Sequence, residues 1–131
     1  MPDAPSPCIL LVEDDSLVRM LAVDMLEALG FVVVEAATGA EALAVDDDTL
    51  ATLTGLMIDL GLPDRPGEEV AGRLRQRRPD LPVILTSGAD ASAARAGLVG
   101  SGVVGVLEKP YQFNDMSRSI GILPAAARGV A

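Results

Sequence analysis

The sequence predicts an α/β domain in which a parallel sheet is covered by helices on both faces. Short apolar runs alternate five times with stretches of helical spacing, the pattern of a layered βα repeat. Cys8-Ile9-Leu10-Leu11-Val12, Leu56-Met57-Ile58 and Val83-Ile84-Leu85 are apolar without polar alternation, as strands buried on both faces are. Four of the runs end in a polar residue: Glu13, Asp59, Ser87 and Lys109. In an open parallel sheet such ends line the ligand crevice.

The elements follow in order. Residues 1–7, with three prolines, read as a loose leader. The run 8–12 is the first strand. Residues 16–29 form a helix whose stripe is Val18, Leu21, Ala22, Met25 and Leu29, with Gly30 as its C-terminal stop. The β-branched stretch 31–35 is the second strand. Thr38 and Glu41 make a capping box for a second helix, which fades at Asp46-Asp47-Asp48. The third strand is 55–59, followed by a loop over 61–67 containing Pro63 and Pro66. Residues 68–78 form a helix with a basic end, stopped by Pro79. Strands at 82–86 and 103–107 flank an Ala-rich helix over 89–98. A last helix, 112–123, is weakened by Gly121 and closed by Pro124. The domain therefore spans 8–123, with a flexible tail over 124–131. Right-handed crossovers leave few topologies. The flavodoxin-like (βα)5 doubly wound sheet, strand order 2-1-3-4-5, places its crevice between strands 1 and 3, the two that end in Glu13-Asp14 and Asp59.

Composition narrows the function. The chain of 131 residues has a formal charge of −9, from 19 acidic and 10 basic residues. That opposes binding to nucleic acid and to anionic membranes. No apolar run approaches the ~20 residues needed to cross a bilayer. There is no histidine, which removes Ser-His-Asp and Cys-His catalysis and histidine metal sites. Cys8 is the single cysteine, so no internal disulfide forms, in keeping with a reducing cytosol. Phe31, Tyr111 and Phe113 are the only aromatic residues, and the core must be mostly aliphatic.

The chemistry at the strand ends follows from charge. Packed carboxylates repel one another and are costly to desolvate, and a bound cation relieves both effects. Oxygen ligands favour a hard ion, Mg2+ with Mn2+ as substitute, over zinc. Glu13, Asp14 and Asp59 suit it. A carboxylate can also attack phosphorus and form an acyl phosphate; Asp59, alone on the middle strand, is the candidate. Lys109 brings a point charge to the phosphoryl oxygens, and Ser87 brings a hydroxyl. Singly, each residue has an ordinary reading as a turn former, cap or surface group. Their joint occurrence in order at four of five strand ends does not.

These residues resemble the receiver domain of two-component response regulators, over nearly the whole chain. Four segments carry the likeness: Ile9-Leu10-Leu11-Val12-Glu13-Asp14-Asp15, Met57-Ile58-Asp59-Leu60-Gly61-Leu62-Pro63, Pro82-Val83-Ile84-Leu85-Thr86-Ser87-Gly88 and Glu108-Lys109-Pro110-Tyr111. The resemblance implies a phosphoacceptor switch. Asp59 takes the phosphoryl group, Glu13 and Asp14 hold Mg2+ with the Gly61 carbonyl, Ser87 is the switch hydroxyl, and Lys109 contacts phosphate beside a cis bond to Pro110. It implies a cytoplasmic protein, not an enzyme beyond its own phosphorylation and slow dephosphorylation. The donor is a sensor histidine kinase or histidine phosphotransfer protein, met by exposed Leu17 and Met20. The expected output is a downstream protein target, with the chain a stand-alone receiver, monomeric or weakly dimeric.

Two departures stand out. Val106 holds a position where the family often has an aromatic switch residue, and Gly61 and Ala89 leave no side chain to orient an attacking water. The alternatives are an aspartyl-phosphate-forming phosphatase or phosphotransferase of haloacid-dehalogenase type, a flavodoxin-like nucleotide binder and a degenerate receiver. The first usually has a second Asp where Gly61 stands, the second lacks a Gly-rich phosphate loop, and the intact site residues oppose the third.

Overall fold

The structure is a computed structural model and describes residues 7–88 and 103–121. Five parallel strands, β1 Cys8–Val12, β2 Val32–Ala36, β3 Gly55–Asp59, β4 Val83–Ser87 and β5 Val103–Glu108, lie in the order β2-β1-β3-β4-β5. The expected topology is the observed one. Its crossover places β1 beside β3, with Val12 opposite Ile58, and both chains leave the sheet at the same edge.

Every residue of β1, β3 and β4 is buried, whereas β2 at the sheet edge exposes Val32 and Glu35. Successive side chains point to opposite faces, so each strand feeds two cores. One contains Leu10, Val12, Leu56, Ile58 and Leu85 beneath Leu50, Val70 and Leu74. The other contains Ile9, Leu11, Met57, Ile84 and Leu107 against Ala22, Leu26, Met116 and Ile120. The helices covering them are α1 Ser16–Ala28, α2 Gly39–Leu43, α3 Asp47–Thr52, α4 Gly67–Arg77 and α5 Phe113–Ile120.

The end of α1 explains why β2 begins one residue later than expected. Gly30 has φ +94, a left-handed conformation that glycine adopts without a Cβ clash. Its N–H bonds Glu27 O and the Phe31 N–H bonds Leu26 O, each at 3.0 Å. This pair of bonds closes the helix and drops Phe31 into the core beside Leu26. The buried stripe of α1 also differs from expectation. Leu21 is half exposed and Leu26 fully buried, because the line of contact runs through Ala22 and Leu26, one position around the helix.

The second helix does not fade in the acidic stretch; it stops, and a new one starts. Asp46 Oδ1 accepts the Thr49 N–H at 2.7 Å, with Asp47 and Asp48 in the first turn of α3, where negative charge is favoured. Thr38 caps α2 through the Glu41 N–H at 3.1 Å, while the Glu41 carboxylate reaches Ala37 N–H, not that of Thr38. The other boundaries move by a residue or two: α4 begins at Gly67, β4 takes in Ser87, and α5 ends at Ile120. The helix expected over 89–98, the leader before Pro7 and the tail over 124–131 lie outside the described residues.

Candidate functional site

The strand alternation that builds the second core also builds the site. Leu11, Met57 and Leu107 lie in that core, and Glu13, Asp59 and Lys109 each come two residues later. A polar group is thus carried to the sheet edge on the same face as the apolar residue before it. Glu13 and Asp59 are buried, at 1% and 5% exposure. Lys109 Nζ lies between them, 2.7 Å from Glu13 Oε1 and 3.0 Å from Asp59 Oδ2.

Local backbone bonds fix these side chains. Glu13 N–H donates to Ala36 O at 3.0 Å, extending the β1–β2 ladder. Glu13 Oε2 accepts the Asp15 N–H at 3.1 Å, and Asp15 itself caps α1 through Leu17 and Val18 N–H. Arg19 reaches back from α1 to Glu13 O at 2.8 Å and pairs with Glu35 at 3.2 Å. Asp59 Oδ1 accepts the Gly61 N–H at 3.1 Å. Lys109 N–H donates to Ser87 O at 2.7 Å, joining β5 to the end of β4. The Lys109–Pro110 peptide is cis, as the resemblance implied.

Burial sets the electrostatics. It pushes the Glu13 carboxyl up, assisted by the negative charge of Asp59 and opposed by Lys109 and the Asp15 N–H. Burial alone would lower the Lys109 ammonium, but its bonds to Glu13 and Asp59 outweigh that and raise it. One ammonium faces three carboxylates, so negative charge is left over. Glu13, Asp14 and Asp59 each offer an oxygen, all within 4.8 Å of one another. Two buried carboxylates beside an exposed one, all hard oxygen donors, are the donor set a small divalent cation requires.

The structure thus brings Glu13, Asp14, Asp59 and Lys109 together, with Gly61 on the Asp59 carboxylate. Ser87 is buried at the end of the adjacent strand. Sequence reasoning missed two residues that shape the site. Arg19 gave no signal beyond a charge on a helix. Gly67 opens α4 against the Asp59 backbone, and a Cβ there would stand 2.2 Å from Asp59 O. A glycine at a helix start, straight after Pro66, was the available sign of a close approach.

A parallel sheet with acidic groups and a lysine at the carboxyl ends of strands 1, 3 and 5 defines an open α/β domain with a charged crevice at its strand ends. The chain belongs to the response regulator receiver domain family, whose model matches residues 9–121. Receivers are phosphoacceptor switches of two-component systems, and this match leaves the haloacid-dehalogenase-like alternative without support. The chain is 31% identical over 115 residues to the sensor kinase CckA of Brucella abortus, covering 88% of this chain and 12% of that protein. It is 30% identical over 112 residues to the photosynthetic apparatus regulatory protein RegA of Cereibacter sphaeroides, covering 86% and 60%. Among solved structures, the receiver domain of the hybrid histidine kinase CckA superposes with TM-score 0.73 at 30% identity, covering 87% of this chain and 95% of that one. TrrA of Thermotoga maritima, solved in complex with Mg(2+)-BeF, shares the fold with TM-score 0.77 at 24% identity, covering 89% and 99%. The chain spans less than two thirds of the length of these curated relatives. Among the described residues no helix is long and apolar enough to cross a membrane.

Proposed function

We propose that Asp59 is the phosphoacceptor of this receiver, and that Glu13, Asp14 and Asp59, with the Gly61 carbonyl, hold the Mg2+ on which transfer depends, Mn2+ serving as a substitute. The observation that carries this reading is the contact of Asp59 Oδ2 with Lys109 Nζ at 3.0 Å inside a cluster of three carboxylates. An Asp59 oxygen attacks the phosphorus of a phosphohistidine. The new O–P bond forms as the P–N bond breaks, and the imidazole nitrogen departs with the electron pair. The divalent ion supplies neutralisation of the charge on the phosphoryl oxygens. Lys109 is held beside Asp59 by its backbone bond to the Ser87 carbonyl, and it carries an ammonium to the same oxygens. Ser87 offers its hydroxyl from the neighbouring strand. Their engagement biases a pre-existing two-state equilibrium of the surface.

The donor on this reading is a sensor histidine kinase or a histidine phosphotransfer protein, in the cytoplasm. The output is a downstream protein target and not nucleic acid, which the charge of −9 supports. The receiver is monomeric or weakly dimeric. Leu17 and Met20, 62% and 59% exposed on α1 beside the crevice, are the surface the donor meets. Loss of the phosphoryl group is slow, because Gly61 has no side chain to orient water and neither does Ala89, which lies outside the described residues.

The decisive experiment treats the protein with acetyl phosphate. A phosphoryl mass gain should appear in the wild type with Mg2+, vanish with a chelator and vanish in Asp59→Asn, and it should then decay over minutes or longer. Labelling of Asp59→Asn, or decay within seconds, would refute the corresponding part. A second test concerns docking. Leu17→Asp with Met20→Asp should slow transfer from a phosphohistidine donor roughly tenfold, a loss of about 1.4 kcal/mol at an interface, and spare acetyl phosphate. Equal loss from both donors would count against a docking role.

A further inference from the structure

Two buried polar atoms at the site have no aligned hydrogen-bond partner among the described residues: Glu13 Oε1 and the Tyr111 hydroxyl. Glu13 Oε1 takes its charge compensation from Lys109 Nζ, 2.7 Å away, while the other carboxylate oxygen holds a backbone N–H. The Tyr111 ring packs against the core formed by Ile9, Leu11, Met57 and Leu107. By strand alternation that is the face on which Glu13, Asp59 and Lys109 emerge. The phenol feels all three charges, Glu13 the most; burial and that negative field push its ionisation up to about 12. The hydroxyl is therefore a neutral donor throughout the working range. A buried phenol O–H without an acceptor costs free energy, and Glu13 Oε1 would incur a larger cost if Lys109 left it.

The two deficits complement each other once Lys109 moves. We propose that Tyr111 is a positioning residue of the site, whose O–H takes Glu13 Oε1 when Lys109 turns from the carboxylates to the phosphoryl oxygens. The inference rests on Asp59 being the phosphoacceptor. In the resting state Lys109 compensates Glu13 and the phenol waits. In the phosphorylated state the ammonium serves the new oxygens. Glu13 is then held on both sides, by Asp15 N–H and by Tyr111 O–H, ionised and turned toward the cation. The residue thus supplies the activated state with a bond that the resting state lacks.

The test compares the wild type with Tyr111→Phe, which removes one oxygen atom and keeps the ring. Tyr111 is the only tyrosine and there is no tryptophan, so near-ultraviolet absorption and intrinsic fluorescence report on this phenol alone. Adding beryllofluoride with Mg2+ to the wild type should shift the tyrosine absorption to the red and quench its emission, as a new hydrogen bond to a carboxylate does. Tyr111→Phe should bind beryllofluoride roughly tenfold more weakly, the worth of a bond to a charged acceptor, while its ligand-free melting temperature stays equal or rises. That split separates positioning from packing, because a packing role would lower the melting temperature. Equal beryllofluoride affinity in the two proteins with an unmoved tyrosine signal would overturn the inference. A wild type that binds no beryllofluoride in the presence of Mg2+ would overturn the phosphoacceptor reading and the inference with it.

Discussion

Two regions of this molecule are built from the same charged residue types and do opposite things with them. At the carboxyl ends of β1, β3 and β5, Glu13 and Asp59 are buried and share one ammonium, so charge is left unbalanced inside the protein. Around α2, α3 and α4 every charged group named below is spent on a helix end or a loop. Arg77 holds Leu43 O, Val45 O and Asp47. Arg78 holds Leu50 O and Leu53 O. Arg75 bonds Leu81 O and Pro79 O. Asp46 and Asp64 accept backbone N–H groups at helix starts. Carbonyls and N–H groups at helix ends have no partner within the helix, and these side chains supply one. Charge density alone therefore does not mark a site. Burial with an unbalanced remainder does.

The sharpest way to break the comparison is to disturb the site without touching its charges. Gly67→Ala puts a Cβ 2.2 Å from Asp59 O and 2.9 Å from Leu60 Cα, backbone atoms that cannot rotate away. The β3 end must shift, or α4 must. The variant should lose about 3 kcal/mol, a drop in melting temperature on the order of 10 °C, together with most of its phosphorylation by acetyl phosphate. Wild-type melting and labelling would show that the approach of α4 does not fix Asp59.

The converse experiment removes charge where it serves only the scaffold. Arg78→Met keeps the aliphatic stem and deletes the donors to Leu50 O and Leu53 O, which lie 2.8 and 2.5 Å away. These carbonyls end α3. Unfolding in denaturant should show a loss of about 1–2 kcal/mol, the worth of charge-assisted bonds at a part-exposed position. Beryllofluoride affinity should not change. A weakened affinity at intact stability would mean that the two regions are coupled, and that the contrast between them is false.

The sequence displayed one of these regions far better than the other. Central strands were legible because burial on both faces removes polar alternation, and their ends were legible because Glu13, Asp59, Ser87 and Lys109 each break an apolar run. Right-handed crossovers left few sheet orders, and the flavodoxin-like one expected among them is the one observed. What stayed hidden depends on contacts distant in the chain. Asp46-Asp47-Asp48 looked like the end of a helix, since nothing local says whether an acidic run stops one helix or starts the next. It is Arg78, just past the end of α4 and reaching the far end of α3, that helps hold this new helix in place. Leu21 took the place of Leu26 in the expected stripe because two adjacent apolar lines on a short helix differ only in which one the sheet meets. Arg19 carried no local signal, and Tyr111, though part of the Glu108-Lys109-Pro110-Tyr111 segment, carried none that points to Glu13. The first serves Glu13 through a backbone oxygen, and the second comes near it only after β5 has joined the sheet.

The smallest expected effect lies between the two regions, in the loop that follows Asp59. Asp64 accepts the Gly39 and Ala40 N–H groups at 2.9 Å each, pinning that loop to the start of α2. The Gly39 N–H bond first, then that of Ala40, holds the carboxyl below its usual range. A group whose ionisation is easier in the folded state binds fewer protons there than in the unfolded chain, so its contribution grows as pH rises through that interval. The contribution is complete above the ordinary aspartate range and fades in acid as the folded-state carboxyl takes up its proton. Asp64→Asn keeps one acceptor but cannot titrate. Its melting temperature should fall slightly below that of the wild type at neutral pH, and the gap should close as pH falls through the lowered range. Phosphorylation of Asp59 should be unchanged, because Asp64 helps carry the loop and not its charge. A gap independent of pH would place the effect of Asp64 in packing, and a loss of phosphorylation would move this residue from the scaffold into the site.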